Sequence, residues 1–330
     1  MNRKVCVAPM MDCTDRHERF FLRLISKNVL LYTEMIVSEA IDRGDKKKLL
    51  SFNIKEKPVA LQLGGSSPKL LANASKIGED FGYDEINLNL GCPSKKVQKN
   101  RFGACLIKEP NLVSDCLNEM QTKTKLPVTI KTRIGYDHVE DYESLFNFIY
   151  LLKQTGVKTF IIHARKAMLG KFTPKQNLNI PPLKYEMVYK LKEDFKDLEI
   201  IINGGINSTD QIKNHLHKVD GVMLGRSVYH SPYILADIEK EIFQNNNILT
   251  RQEVIKELVP YVKEEINKGT RINQIMRHTI GLFHGQTGSS FWKRYLSENM
   301  CVRDADVKKI DHLLDKVKLA PKIHQAGQIG

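Results

Sequence analysis

The chain has 330 residues, 42% hydrophobic and 27% charged, a balance that excludes a disordered chain and leaves room for a barrel-sized domain with a smaller companion. No apolar run approaches the ~20 residues that span a bilayer, and strand-like sequence begins almost at Met1, so neither a membrane span nor a signal peptide is expected and the protein should be cytoplasmic. Lys and Arg number 51 against 38 Asp and Glu, a net charge of +13 that favours a polyanionic partner but is spread too widely to locate its surface.

Eight short apolar runs follow one another, at residues 4–10, 30–36, 58–63, 85–90, 127–133, 159–165, 199–203 and 221–225, with helix-compatible sequence between them. Most are continuously apolar, as expected of parallel strands covered on both faces. Eight such units predict an α/β fold, a (β/α)8 TIM barrel over residues 1–240. Beyond residue 240 helical periodicity takes over at 251–268, 273–283, 290–300 and 306–319, with breaks at KGT and QTGSS and a linker at 245–249. Residues 241–330 are therefore expected to form a small C-terminal α-helical bundle domain.

In a parallel barrel the chemistry lies at the carboxyl ends of the strands. Here those ends carry Met10 and Met11, Glu34, Gln62, Asn89 with Cys92, Lys131 with Arg133, His163 with Arg165, Asn203 with Gly204 and Gly205, and Gly225 with Arg226. Taken singly each has a plain structural reading: Gln62 as a loop cap, His163 as a satisfied core histidine, Lys131 as half of an ion pair. Their recurrence at eight successive strand ends favours one shared site. The NGG of 203–205 and the Gly225–Arg226 pair stand after the last two strands, where barrels bind phosphate through close-approaching backbone N–H groups. No GxGxxG follows any strand, which argues against a Rossmann-type dinucleotide.

Cys92, in the GCPS turn after the fourth run, has two readings on its own: a structural cysteine or a catalytic thiol. No CxxC occurs and Cys105 is the nearest other cysteine, so no metal site is expected; the six irregularly spaced cysteines read as reduced thiols. Two basic clusters stand out, Lys95, Lys96, Lys99 and Arg101 after the turn, and Lys293 with Arg294 beside the single Trp292.

The segments VAPMMDCTDRHERFF, YTEM, PVALQLGG, DEINLNLGCPS, FGACL, VTIKTRIG, FIIHARKA, IPPL, INGGI, DGVMLGR and FWKRYLSEN occur in this order from Val5 to Asn299. Together they closely resemble the tRNA-dihydrouridine synthases, and IPPL with RYLSEN resembles the subfamily acting at positions 20 and 20a of the tRNA D-loop. The resemblance implies a flavin oxidoreductase that reduces the C5=C6 bond of uridine. It implies FMN in the barrel mouth, with Pro9, Met10 and Met11 against the ring, Gln62 and Lys131 at its polar edge, His163 close by, and Asn203, Gly204, Gly205, Gly225 and Arg226 around the phosphate. NADPH is the implied reductant, hydride passes to C6, and Cys92 is the acid that protonates C5. The substrate tRNA is implied to meet Asn89, Lys175, Lys293 and Arg294. The chain departs from the subfamily at Leu178, where many members carry an arginine, and in the basic segment after Cys92.

The residue chemistry agrees with that role for the thiol, because a sulfhydryl can act as a general acid toward a carbanion. Three other readings stay open at this level. They are an FMN barrel acting on a free pyrimidine, as in dihydroorotate dehydrogenases, a lysine aldolase using Lys131, and an RNA-binding chaperone with an inert barrel.

Overall fold

A computed structural model describes residues 1–170 and 172–300. Nine parallel strands form one sheet: β1 (Val5–Val7), β2 (Leu30–Tyr32), β3 (Ile36–Val37), β4 (Val59–Gly64), β5 (Glu85–Leu90), β6 (Val128–Arg133), β7 (Thr159–His163), β8 (Glu199–Asn203) and β9 (Gly221–Leu224). β1 pairs with β2, β3 to β9 pair in sequence order, β9 pairs with β1, and β2 pairs with β4 through Leu31–Val59 and Tyr32–Ala60. These pairings close a barrel of eight strands, with β3 appended to the end of β4 at Ile36–Leu63 and Val37–Gly64. Helices fill the connections, as parallel neighbours require.

The run at 30–36 is not one strand. After Tyr32 the Thr33 hydroxyl, instead of a main-chain carbonyl, accepts the Gln62 N–H at 3.0 Å. That side-chain substitute lets the chain leave the ladder before β3. The first and sixth runs are likewise trimmed, to Val7 and His163, so the residues beyond them become loop at the mouth.

The barrel interior is half apolar and half polar. Cys6, Ala8, Leu30, Tyr32, Ala60, Ile161, Ile201 and Met223 form one buried cluster, with Met10 packed on it. On the other side β5 alternates: Glu85, Asn87 and Asn89 are each at most 8% exposed and are joined side chain to side chain with β4 and β6. At the amino ends of the strands Arg3 donates through Nε to Glu85 at 2.7 Å and through Nη1 to Glu199 at 2.8 Å, and Tyr32 donates its hydroxyl to Glu85.

The described chain divides into two compact units, 1–20 with 28–226, and 21–27 with 227 onward; the cut at Arg226 precedes the residue 240 read from the sequence. The second unit contains helices Ile234–Glu241, Arg251–Asn267, Ile272–Met276 and Ser289–Asn299. Thr250 and Glu253 form a capping box that starts the second of these. The expected helix at 273–283 stops early, passing through a 3-10 turn at Arg277–Thr279 into turns around Gly281, where a Cβ would stand 2.4 Å from the His230 carbonyl oxygen. Trp292 is fully buried in this unit, donating its indole N–H to the Thr279 carbonyl at 2.9 Å against the Phe283 ring. The expected helix at 306–319 lies outside the described residues. No helix among the described residues is long and apolar enough to cross a membrane.

Candidate active site

The GCPS turn is built from three sides. Asn89 Oδ1 accepts the main-chain N–H of Gly91 at 3.1 Å and of Cys92 at 3.0 Å, so the side chain at the end of β5 shapes the turn that follows it. Ser94 then caps the short helix Lys95–Lys99. The FGA segment returns against the turn: Ala104 N–H donates to the Cys92 carbonyl at 2.9 Å. Gly103, at φ +73°, fits there because a Cβ would lie 2.6 Å from that carbonyl oxygen. The third support is Arg133, which is 4% exposed. Its Nε donates to the Gly91 carbonyl at 2.9 Å and its Nη1 to the carbonyls of Lys166 and Asn177 at 3.1 and 3.3 Å. Cys92 itself is half-buried and is a free thiol.

Across the mouth, Lys131 donates from Nζ to Asn203 Oδ1 at 3.0 Å, and Asn203 donates to the Met223 carbonyl at 2.7 Å, so β6, β8 and β9 are tied at their carboxyl ends. Burial, then the charge of Arg133, lowers the Lys131 ammonium from 10.5 to about 7, and Cys92 is near enough to oppose that shift. Burial brings Arg133 down to about 10, again opposed by Cys92. His163 sits well below the ordinary imidazole value, chiefly through burial and then through Arg133, Lys131, Arg165 and Arg226. It is therefore a neutral imidazole among cations. On the rim, Glu34 accepts the Asp12 N–H, and burial raises its carboxyl.

The last two strands end in a cradle. Gly204 has φ +124°, and a Cβ on it would meet Leu183 at 2.8 Å and the His163 ring at 3.1 Å. Gly205 has φ +73°, and its Cβ would meet Leu183 at 2.7 Å. Tyr185 donates its hydroxyl to the Gly204 carbonyl at 2.6 Å. Gly225 lies beside Met10, where a Cβ would stand 3.5 Å from the thioether sulfur, an ordinary packing distance. Arg226 is exposed and reaches the loop after β7, donating to Asn179 Oδ1 at 2.8 Å and to the Leu178 carbonyl at 3.3 Å. Arg165, half-buried, donates to the Pro181 carbonyl.

The residues expected at the mouth fall into separate small groups. Gln62, Asn89 and Cys92 are joined by hydrogen bonds, Lys131 and Asn203 by another, and His163 lies beside Gly204. Met10 packs on the interior cluster, Pro9 is half-buried, and Met11 is 54% exposed. Lys175 is exposed on the short helix Pro174–Asn177. Lys293 and Arg294 are exposed on Ser289–Asn299, in the second unit. The sequence reading assigned no task to Arg133, Tyr185, Asn87 or Thr129. A polar residue at every second position of EINLNL is the one signal that marks the interior pair in advance.

Chemically, a half-buried thiol and a backbone cradle face a cluster of cations with few balancing carboxylates. Such a mouth suits an anionic ligand and a group that takes up a proton.

The sequence model of the family described as Dihydrouridine synthase (Dus) matches residues 6–318. A protein of Synechocystis named tRNA-dihydrouridine(20/20a) synthase is 50% identical over 313 residues, covering 94% of both chains. Proteins of the same name from Escherichia coli K12 and Shewanella oneidensis are 49% and 48% identical, each over 94% of this chain and over 90% and 92% of their own. Among solved structures, a 2-naphthoyl-CoA reductase in complex with 2-naphthoyl-CoA aligns with a TM-score of 0.53 at 11% identity, over 73% of this chain and half of its own. That likeness is one of barrel fold. The family model and these relatives, spanning nearly the whole sequence, make the chain a member of the dihydrouridine synthase family.

Proposed function

We propose that this protein reduces the C5=C6 bond of uridine in the D-loop of tRNA to 5,6-dihydrouridine, at positions 20 and 20a, with FMN in the barrel mouth, NADPH as reductant and Cys92 as the acid. The observation that carries the reading is the seat of Cys92. A half-buried thiol, fixed by Asn89, FGA and Arg133, shares the mouth with Lys131 and with a glycine cradle beside Arg165 and Arg226.

The residues fit FMN. Its phosphate suits the Asn203–Gly205 and Gly225–Arg226 backbone, where Gly204 and Gly205 take up positive-φ conformations that side-chain-bearing residues resist and Arg226 adds an exposed cation. Pro9, Met10 and Met11 offer an apolar and partly exposed wall for its ring, and Gln62 and Lys131 offer amide and ammonium donors for its polar edge. FMN bound there supplies the two reducing electrons.

The chain's own part is to hold the base and to manage one proton. Asn89 keeps an amide N–H beyond the one given to Gln62, a donor for a uracil carbonyl. Cys92 Sγ–H gives its proton to C5 as the reduced bond forms. Lys131, held near neutrality without a ligand, becomes ammonium when an anion enters and stabilises its charge. His163, neutral, adds no further positive charge.

Flipping the uridine out of the folded tRNA costs a few kcal/mol. Phosphate contacts from Lys175, Lys293 and Arg294, all exposed, offset that cost, and Lys175 stands three residues before Leu178. The protein acts where tRNA is, in the cytoplasm. Mass mapping of tRNA from cells with and without this gene tests the function: position 20 or 20a loses about two mass units when the gene is absent. Unchanged masses at both positions overturn it.

A further inference from the structure

One unbroken row of hydrogen bonds crosses the barrel interior from its amino end to the Cys92 turn. Thr129 Oγ1 donates to Glu85 Oε1 at 2.6 Å, and Asn87 Nδ2 donates to Thr129 Oγ1 at 2.8 Å. Gln62 Nε2 donates to Asn87 Oδ1 at 2.8 Å, and Asn89 Nδ2 donates to Gln62 Oε1 at 2.8 Å. Cys92 N–H then donates to Asn89 Oδ1 at 3.0 Å. The strand registers produce this row, because Gln62 pairs with Asn87 and Asn87 with Thr129, while Glu85, Asn87 and Asn89 share one face of β5.

The two ends of the row permit one polarity only. At the bottom, Glu85 is ion-paired with Arg3 and also receives the Tyr32 hydroxyl, so it accepts and does not donate. At the top, the main-chain N–H groups of Gly91 and Cys92 donate and cannot accept. Turning over any single amide between them sets donor against donor and acceptor against acceptor, among side chains buried to 8% exposure or less, where such a mismatch is costly. The row holds or reverses as a unit, and both ends forbid reversal.

We propose that Asn87 and Thr129 are positioning residues. They transmit the acceptor character of Glu85 upward, fix the amide orientation of Gln62 and Asn89, and so set both the seat of Cys92 and the spare donors offered at the mouth. This inference rests on the flavin and uridine reading of that mouth. Each of Gln62 and Asn89 has two amide hydrogens and commits one within the row. What remains for a ligand is an N–H donor, matched to the carbonyl edge of uracil or of a flavin pyrimidine and mismatched to the amino group of cytosine. The device selects carbonyl-bearing rings through residues that never touch them.

Thr129→Val removes the hydroxyl at nearly constant volume, and Thr129→Ser keeps it. On the full-length protein, two quantities are read: FMN affinity by quenching of flavin fluorescence, and the alkylation rate of Cys92 in flavin-free protein by peptide mass spectrometry. Thr129→Val is expected to weaken FMN binding about tenfold and to change the Cys92 rate at least about threefold, with Thr129→Ser within about twofold of the parent in both. If Thr129→Val does not fold, Thr129→Ala is set against Thr129→Ser with the same expectations. A folded variant lacking the hydroxyl whose FMN affinity and Cys92 rate match the parent overturns the proposal. If the parent itself binds no FMN, the flavin reading fails, while the Cys92 rates still decide the row.

Discussion

Gly103 and Cys92 are in contact across ten intervening residues: a Cβ on Gly103 would lie 2.6 Å from the Cys92 carbonyl oxygen and 3.3 Å from the Cys92 Cβ. GCPS and FGA are therefore two halves of one structure, with the glycine making room for the turn that presents the thiol. The backbone at 103, at φ +73°, adds a conformational reason to the steric one.

Gly103→Ala is expected to destabilise the protein by about 1–3 kcal/mol, through left-handed backbone strain and collision with the Cys92 carbonyl. Because the collision falls on the turn, turnover should drop further than the stability loss explains. Denaturant unfolding alongside turnover at saturating tRNA checks this. Full turnover in the folded fraction would separate the glycine from the thiol's seat.

Lys131 predicts a pH dependence. Its ammonium lies at about 7 in the folded ligand-free protein against an ordinary 10.5, so between these values the unfolded chain holds a proton that the folded one lacks. Stability without ligand therefore rises as pH increases through that window. The penalty is complete below pH 7 and absent above 10.5. Lys131→Met should flatten this slope and raise the melting temperature of the flavin-free protein at pH 7. An anion at the mouth favours the ammonium, so FMN binding at pH 8 should take up a proton in the parent and less in the variant. Calorimetry in two buffers of different ionisation heat measures the difference.

The glycine cradle gives a separate test. Gly204→Ala puts a Cβ 2.8 Å from Leu183 and 3.1 Å from the His163 ring, at a φ of +124° that alanine resists. FMN affinity is expected to fall on the order of tenfold or more, as cradle and imidazole are displaced together. Fluorescence titration of flavin-free protein reads it directly.

On the second unit, Lys293 and Arg294 are exposed cations. If each meets a tRNA phosphate, replacing either with alanine lowers the slope of log affinity against log salt by about one, without altering FMN affinity. An unchanged slope would remove that residue from the RNA interface.

Much of this architecture is legible in the sequence. Burial on both faces writes strands as apolar runs, and a closed parallel sheet forces the residues at the ends of those runs toward one mouth, so Gln62, Lys131, His163 and Asn203 can be placed near it from the sequence. Three features are not legible for a common reason: they depend on contacts between distant segments. The link between Gly103 and Cys92 is set by a returning loop. Arg133 carries a charge that suggests a carboxylate or phosphate partner, yet its assigned bonds go to the carbonyls of Gly91, Lys166 and Asn177. The interior row reads in sequence as an ordinary strand, EINLNL, and acquires its meaning only when strand register sets Gln62 and Thr129 on either side of Asn87. The break after Tyr32 was hidden because a threonine suits a strand and also suits the side-chain hydrogen bond that ends one.

The central claim is that Cys92 Sγ delivers the proton that completes uridine reduction. Its most direct test is a single turnover in which protein loaded with reduced flavin is mixed with unmodified tRNA and flavin reoxidation is followed by absorbance. Cys92→Ala is predicted to slow that reoxidation by about 10²–10⁴-fold, with tRNA and FMN affinities within about twofold of the parent. Reoxidation at the parent rate, with dihydrouridine formed in the same yield, would contradict the account.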